Sequence, residues 1–247
     1  MKQISYLLSY PLTAIFYLAF GLSMVVFHAL EVICFKLFGY KGLKKSVDYF
    51  NWAILRCLNI LGTSFKMEYL GEIPKNVPLI IVSNHQSMWD IPPIIWFLRN
   101  LHPKFVSKIE LGKGIPGISY NLRHGGSILI DRKNPRQSLG EMKKFGKYLV
   151  ANRRCGVIFP EGTRSKNGVP KTFHRKGLVT LFKYAPEAYV LPVTVNNSWK
   201  LQRQGFFPMP LGISLKHTVH PALKISDFSS EELIILLEKT IKSKVVV

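Results

Sequence analysis

Two short segments of this chain bring together residue types that can do chemistry, and each follows an apolar run. The first is Asn84-His85-Gln86-Ser87-Met88-Trp89-Asp90, directly after Leu79-Ile80-Ile81-Val82. An aliphatic hydroxyl is a weak acid, so an oxygen nucleophile gains from a positioned base. An imidazole held by a carboxylate is the common solution and supplies ~10²- to 10⁴-fold. Five positions of separation let Asp90 hold one ring nitrogen of His85 while the other faces a substrate. The same spacing has a second meaning, because Ser87 with Asp90 three residues on is a capping-box pattern and His85 would then only satisfy a turn. Spacing alone leaves both meanings open.

The second segment is Phe159-Pro160-Glu161-Gly162-Thr163-Arg164-Ser165, after Val157-Ile158. It suits a phosphate: glycine permits close backbone approach, amide N–H groups bind oxygens, and an arginine grips a phosphate with a planar fork. Lys166, Lys171, Arg175 and Lys176 extend the positive field. Taken by itself, Glu-Gly-Thr is ordinary turn chemistry.

In combination, Asn-His-x-x-x-x-Asp followed by Phe-Pro-Glu-Gly-Thr-Arg-Ser strongly resembles the glycerolipid acyltransferase family, especially the bacterial type that acts on 1-acylglycerol-3-phosphate. Gly126-Ser127-Ile128-Leu129-Ile130-Asp131-Arg132 resembles the family's acceptor-binding block, and Val190-Leu191-Pro192-Val193 its short fourth block. The resemblance covers about residues 75 to 200. It implies that His85 is the base and Asp90 its orienter, and that Lys108, Arg132, Glu161, Gly162, Thr163 and Arg164 form the acceptor site. It also implies an acyl-CoA or acyl carrier protein thioester as co-substrate, lysophosphatidic acid as acceptor and phosphatidic acid as product, with no cofactor or metal.

Strands that could carry these segments are expected near Pro78 to Ser83, Lys104 to Ser107, Ser127 to Asp131, Gly156 to Pro160, Tyr189 to Val195 and Gly212 to Val219. Their unbroken apolar character points to burial on both faces. Helical patterns fall near Met88 to Arg99, Ser138 to Ala151, His174 to Tyr184 and Ser230 to Lys242, the last opened by Ser229 and Glu232 at capping-box spacing. The alternation predicts an α/β fold, a mixed β-sheet flanked by helices, over residues 71–247.

Residues 1–70 are expected to form membrane-associated helices. No Asp, Glu, Lys or Arg occurs from Leu7 to Leu30, and a helix of that length is roughly 36 Å long, enough for a hydrocarbon core of about 30 Å. Val47 to Leu61 repeats apolar residues at helical spacing and can pair with the first segment as a hairpin or lie in the interface. Spanning and lying in the interface both stay open, as does a buried core hairpin, and Pro11 argues against one uniform helix. Lys36, Lys41, Lys44 and Lys45 put the following chain on the cytoplasmic face of a cell or inner membrane. Glu31 and Lys36 end the apolar run without a small-residue cleavage pattern, against a signal peptide.

The chain of 247 residues carries a formal charge of +20, with 47% hydrophobic residues and a mean hydropathy of +0.13. So basic a chain seeks an anionic partner. Anionic membrane lipids fit the apolar N-terminus; nucleic acid, the rival partner, does not. A non-catalytic lipid-binding protein of the same fold is the other rival, and another lysophospholipid is the alternative acceptor. Cys34, Cys57 and Cys155 are too few and too scattered for a disulfide framework or a zinc cluster. Gly112-Lys113-Gly114-Ile115-Pro116-Gly117 satisfies G-x-G-x-x-G, but no strand-to-helix unit is expected around it and Pro116 interrupts the helix it would open.

Overall fold

The structure, a computed structural model, describes residues 2–247. It opens with a long helix, α1 (Lys2–Ile60), broken at Gly39. The two arms fold back on each other: Ser23 Oγ meets Cys57 Sγ at 3.6 Å, and the rings of Phe27 and Phe50 stack with centroids 5.4 Å apart. The expected hairpin therefore forms, turning at Gly39, while Pro11 sits inside the first arm. Gly39 takes φ 59° and ψ −146°, a conformation that only glycine adopts without strain. A Cβ on Gly42 would overlap the Cys34 carbonyl, so the turn also needs its second glycine. Glu31, which follows the uncharged run, lies within the first arm, facing inward and fully buried.

The rest of the chain is built on one eight-stranded sheet. Its strands are β1 (Ser64–Tyr69), β2 (Leu79–Ser83), β3 (Pro103–Lys108), β4 (Ile128–Ile130), β5 (Cys155–Ile158), β6 (Tyr189–Asn196), β7 (Ser214–Val219) and β8 (Leu223–Lys224). The spatial order is β1-β7-β6-β2-β5-β3-β4, with β8 on β6. All neighbours along β6-β2-β5-β3-β4 run parallel, whereas β7 and β8 run antiparallel to β6. β1 lies within residues 1–70 yet pairs with β7, so the sheet draws on both sides of the expected boundary. Its Phe65 and Met67 alternate with Lys66 and Glu68, the period-two pattern of an edge strand.

Because successive side chains point to opposite faces, β2 feeds two cores. Ile80 and Val82 pack among α4 (Pro135–Asn152), α5 (Arg175–Tyr184) and α6 (Ser230–Ser243). Leu79 and Ile81 pack with Leu43 and Val47 of α1 and with Ile94 and Ile95 of α2 (Ile91–Phe97). The expected helix from Met88 to Arg99 is shorter than its pattern. A single 3₁₀ turn, Met88–Asp90, leads into α2, where Pro92 and Pro93 lack the N–H groups that a helix interior would need. Gly112 to Gly117 does lie between a strand and a helix, contrary to expectation, but that helix, α3 (Ile118–His124), is only seven residues long.

Gly39→Ala should destabilise the protein by roughly 1–3 kcal/mol, each kcal/mol lowering the melting temperature by about 2–4 °C in a domain of this size. Thermal unfolding in detergent checks it; an unchanged midpoint would show that the hairpin turn tolerates a Cβ.

Candidate active site

The parallel strands deliver their carboxyl-terminal loops to one edge of the sheet, where ligands of such sheets bind. At the end of β2, Asn84 continues the ladder with its side chain. Its amide donates to the Val195 carbonyl at 2.9 Å, and its side-chain oxygen accepts from Val195 N–H at 2.7 Å. The backbone is thus released one residue beyond the strand, and His85 leaves the sheet edge.

Asp90 is fully buried and collects donors. Its Oδ2 accepts from His85 Nδ1 at 2.8 Å, from Gln86 N–H at 2.7 Å and from Ser87 N–H at 3.1 Å. Its Oδ1 accepts a short hydrogen bond from the Ser198 hydroxyl. Both meanings of the spacing are realised at once: Ser87 and Asp90 form a true capping box, and the same carboxylate holds the imidazole. Burial by itself would raise the Asp90 pKa, but the bonds from His85, Ser198 and the Ser87 amide outweigh it and hold the carboxyl below its ordinary range. An ionised Asp90 requires the proton on His85 Nδ1, leaving Nε2 as the free acceptor. The His85 ring lies over Phe159 at 4.2 Å between centroids, and its side chain is 16% exposed. Nε2 has no protein partner among the described residues.

The second segment is bonded to the first. His85 N–H donates to Glu161 Oε1 at 2.9 Å, and Ser165 N–H donates to the His85 carbonyl at 2.7 Å. Glu161 Oε2 accepts from Lys171 N–H at 2.8 Å. Glu161 is 2% exposed, and its carboxylate clasps the two loops together. Burial raises its pKa, an effect that the Lys171 and His85 amides only partly offset. Gly162 turns the chain at φ 69°, where a Cβ would press on His174 at 3.0 Å. Thr163 and Arg164 are exposed, and Lys171 Nζ donates to Thr163 Oγ1 at 2.7 Å. Lys108 ends β3 and Arg132 follows β4, both exposed on the same edge of the sheet. No ion pair or hydrogen bond engages the side chains of Lys108, Arg132 or Arg164 among the described residues.

Two contributors carried no usable signal in the sequence. Ser198 is a plain serine 108 positions after Asp90. His217, buried on β7, approaches the Asp90 carbonyl with Nε2 at 3.3 Å, its pKa lowered by burial. The remaining anchor is Trp89, which meets both Phe16 and Phe20 of α1 at 5.5 Å and ties the segment of His85 and Asp90 to the hairpin.

Comparison with known proteins converges on one family. A family model described as acyltransferase matches residues 64–196. The chain is 38% identical to a 1-acyl-sn-glycerol-3-phosphate acyltransferase of Helicobacter pylori over 109 residues, a match that spans only 43% of each chain. A protein of the same description from Pseudomonas aeruginosa is 28% identical over 200 residues, 80% of this chain and 76% of that one. The crystal structure of the 1-acyl-sn-glycerophosphate acyltransferase of Thermotoga maritima has the same fold, with a TM-score of 0.76 at 27% identity, covering 98% of this chain and 95% of that one.

Ser198→Ala withdraws one donor from Asp90 and should cost about 1–3 kcal/mol. The sign with pH follows from the depressed pKa. Asp90 stabilises the fold above its unfolded pKa and loses that effect as pH falls through its folded value. In Ser198→Ala the folded pKa rises, so the acid loss of stability should begin at higher pH than in the wild type. Unfolding curves of both proteins across the acid range measure this; coincident acid limbs would contradict it.

Proposed function

Since the chain belongs to the acyltransferase family, we propose that it transfers a fatty acyl group from a thioester, carried on coenzyme A or acyl carrier protein, to the sn-2 hydroxyl of 1-acylglycerol-3-phosphate. The product is phosphatidic acid, a step of phospholipid biosynthesis. One observation carries the reading: His85, oriented by Asp90 at 2.8 Å, is hydrogen-bonded through its own N–H to the turn that bears Arg164. Base and phosphate-type turn therefore belong to one rigid unit.

In this mechanism His85 Nε2 removes the proton of the acceptor hydroxyl as its oxygen bonds to the thioester carbonyl carbon. The tetrahedral intermediate collapses by breaking the C–S bond. A thiol has a pKa of about 8.5 in a simple cysteine, so the departing sulfur is a good leaving group and recovers the proton from the imidazolium. No covalent acyl-enzyme forms. Asp90 does not take up a proton; it stabilises the imidazolium and keeps Nε2 forward. The acceptor phosphate carries nearly two charges, which suits Arg164 and Lys171 on one loop with Lys108 and Arg132 on neighbouring strand ends. Arg164 grips with a fork, whereas the lysines act as point charges.

The first arm of α1 supports a membrane location. Leu8, Ile15, Leu18, Leu22, Val25 and Ile33 repeat along one side of it, each at least half exposed. Such a stripe suits the hydrocarbon of a leaflet, and the lysines after it support a cytoplasmic position for the catalytic domain.

Protein purified in detergent should acylate lysophosphatidic acid in preference to lysophosphatidylglycerol and lysophosphatidylethanolamine. His85→Ala should reduce turnover by ~10²- to 10⁴-fold and leave membrane binding intact. Unchanged turnover in His85→Ala would overturn the mechanism, and equal rates on the three acceptors would overturn the acceptor assignment.

A further inference from the structure

The loop over residues 203–211 leaves two aromatic rings in the open, Phe206 at 61% and Phe207 at 51% exposure. The loop is nevertheless tightly held. Tyr17 donates its hydroxyl proton to the Phe206 carbonyl at 2.8 Å, Met209 N–H donates to Thr13 Oγ1 at 2.9 Å, and Tyr10 sets its ring edgewise against Phe207 at 5.7 Å. Met209, two residues on, is buried in the core that joins the hairpin to Trp89. A loop anchored on both sides of its two rings presents them outward as a fixed feature of its surface.

Three facts say what meets them. The rings sit beside Tyr10 and Tyr17 of α1, so they flank the exposed apolar side of the first arm, an arm without charged residues from Leu7 to Leu30. Arg203 and Lys200 precede the rings and give the loop a basic flank, the pattern of aromatic residues set at the headgroup boundary of an anionic bilayer. Finally, the loop follows the 3₁₀ turn Ser198–Gln202, whose first residue bonds Asp90.

We propose that Phe206 and Phe207 insert into the same lipid leaflet as the first arm of α1, with Arg203 at the headgroups, as a second membrane contact beside the catalytic edge. The occupant is the bilayer itself. The hairpin alone leaves the domain free to tilt about one line of contact. The added contact holds the carboxyl edge of the sheet, and His85 with it, against the surface that supplies an amphiphilic acceptor. The insertion rests on α1 being a membrane element, and the kinetic consequence rests on the proposed acyl transfer.

Phe207→Trp, reconstituted in phosphatidylcholine and phosphatidylglycerol vesicles, reads the insertion directly. The extra emission relative to the wild type should be quenched by bromine on the lipid acyl chains; emission that bromolipids leave unquenched overturns the proposal. In the double variant Phe206→Ser/Phe207→Ser, kcat/KM for lysophosphatidic acid presented in vesicles should fall about tenfold. Turnover of a short-chain acceptor dissolved as monomers should not change, and leucine at both positions should restore the vesicle rate. An equal loss on both acceptors would show that the rings serve folding and would overturn the proposal. If the wild type does not acylate lysophosphatidic acid, the functional reading fails, while the quenching still decides whether the loop inserts.

Discussion

A carboxylate withdrawn completely from water governs this molecule. Asp90 is buried on every side, and removing the charged partner of a buried ion pair typically costs 3–5 kcal/mol, so its neighbourhood has little freedom. The Gln86 and Ser87 amides must turn inward, which fixes the tight turn after β2 and starts the 3₁₀ turn that leads into α2. Ser198 must be brought from the end of β6, which fixes how the chain leaves the sheet on that side. The last strong donor is the His85 ring, so the demand of a buried charge for satisfaction is also what aims this imidazole.

A second buried carboxylate does a different job with the same physics. Glu161 accepts one amide from each of two loops and keeps the turn carrying Thr163 and Arg164 in fixed relation to His85. Asp90 has more donors and stays below its ordinary pKa, whereas Glu161 has two backbone donors and is pushed up by burial. Donor count separates an electrostatic orienter from a clasp. The parallel order of β6, β2, β5, β3 and β4 then brings every loop of the site to one edge without further devices.

Much of this was legible in the residues. The apolar runs ending at Ser83 and Ile158 mark the two central strands, the uncharged stretch from Leu7 marks the first arm of the hairpin, and the two motifs taken in combination mark His85 with Asp90. What was not legible depends on contacts distant in sequence. Whether Glu161 faces substrate or protein is decided by amides 76 positions before it and 10 after it. Ser198 has no local pattern at all. The exact place of the hairpin turn depends on which residue takes a positive φ, here Gly39, and the apolar pattern does not reveal that. The short helix α3 is too brief to show a period.

The central claim, that Asp90 fixes His85 with its Nε2 lone pair turned to substrate, is open to direct observation by ¹H–¹⁵N NMR of protein labelled at its 7 histidines, with a His85→Gln sample to assign the signal. The account predicts that neutral His85 carries its proton on Nδ1, that this proton resonates far downfield, and that Asp90→Asn removes the downfield signal. A neutral His85 protonated on Nε2, or a signal indifferent to Asp90→Asn, would contradict it.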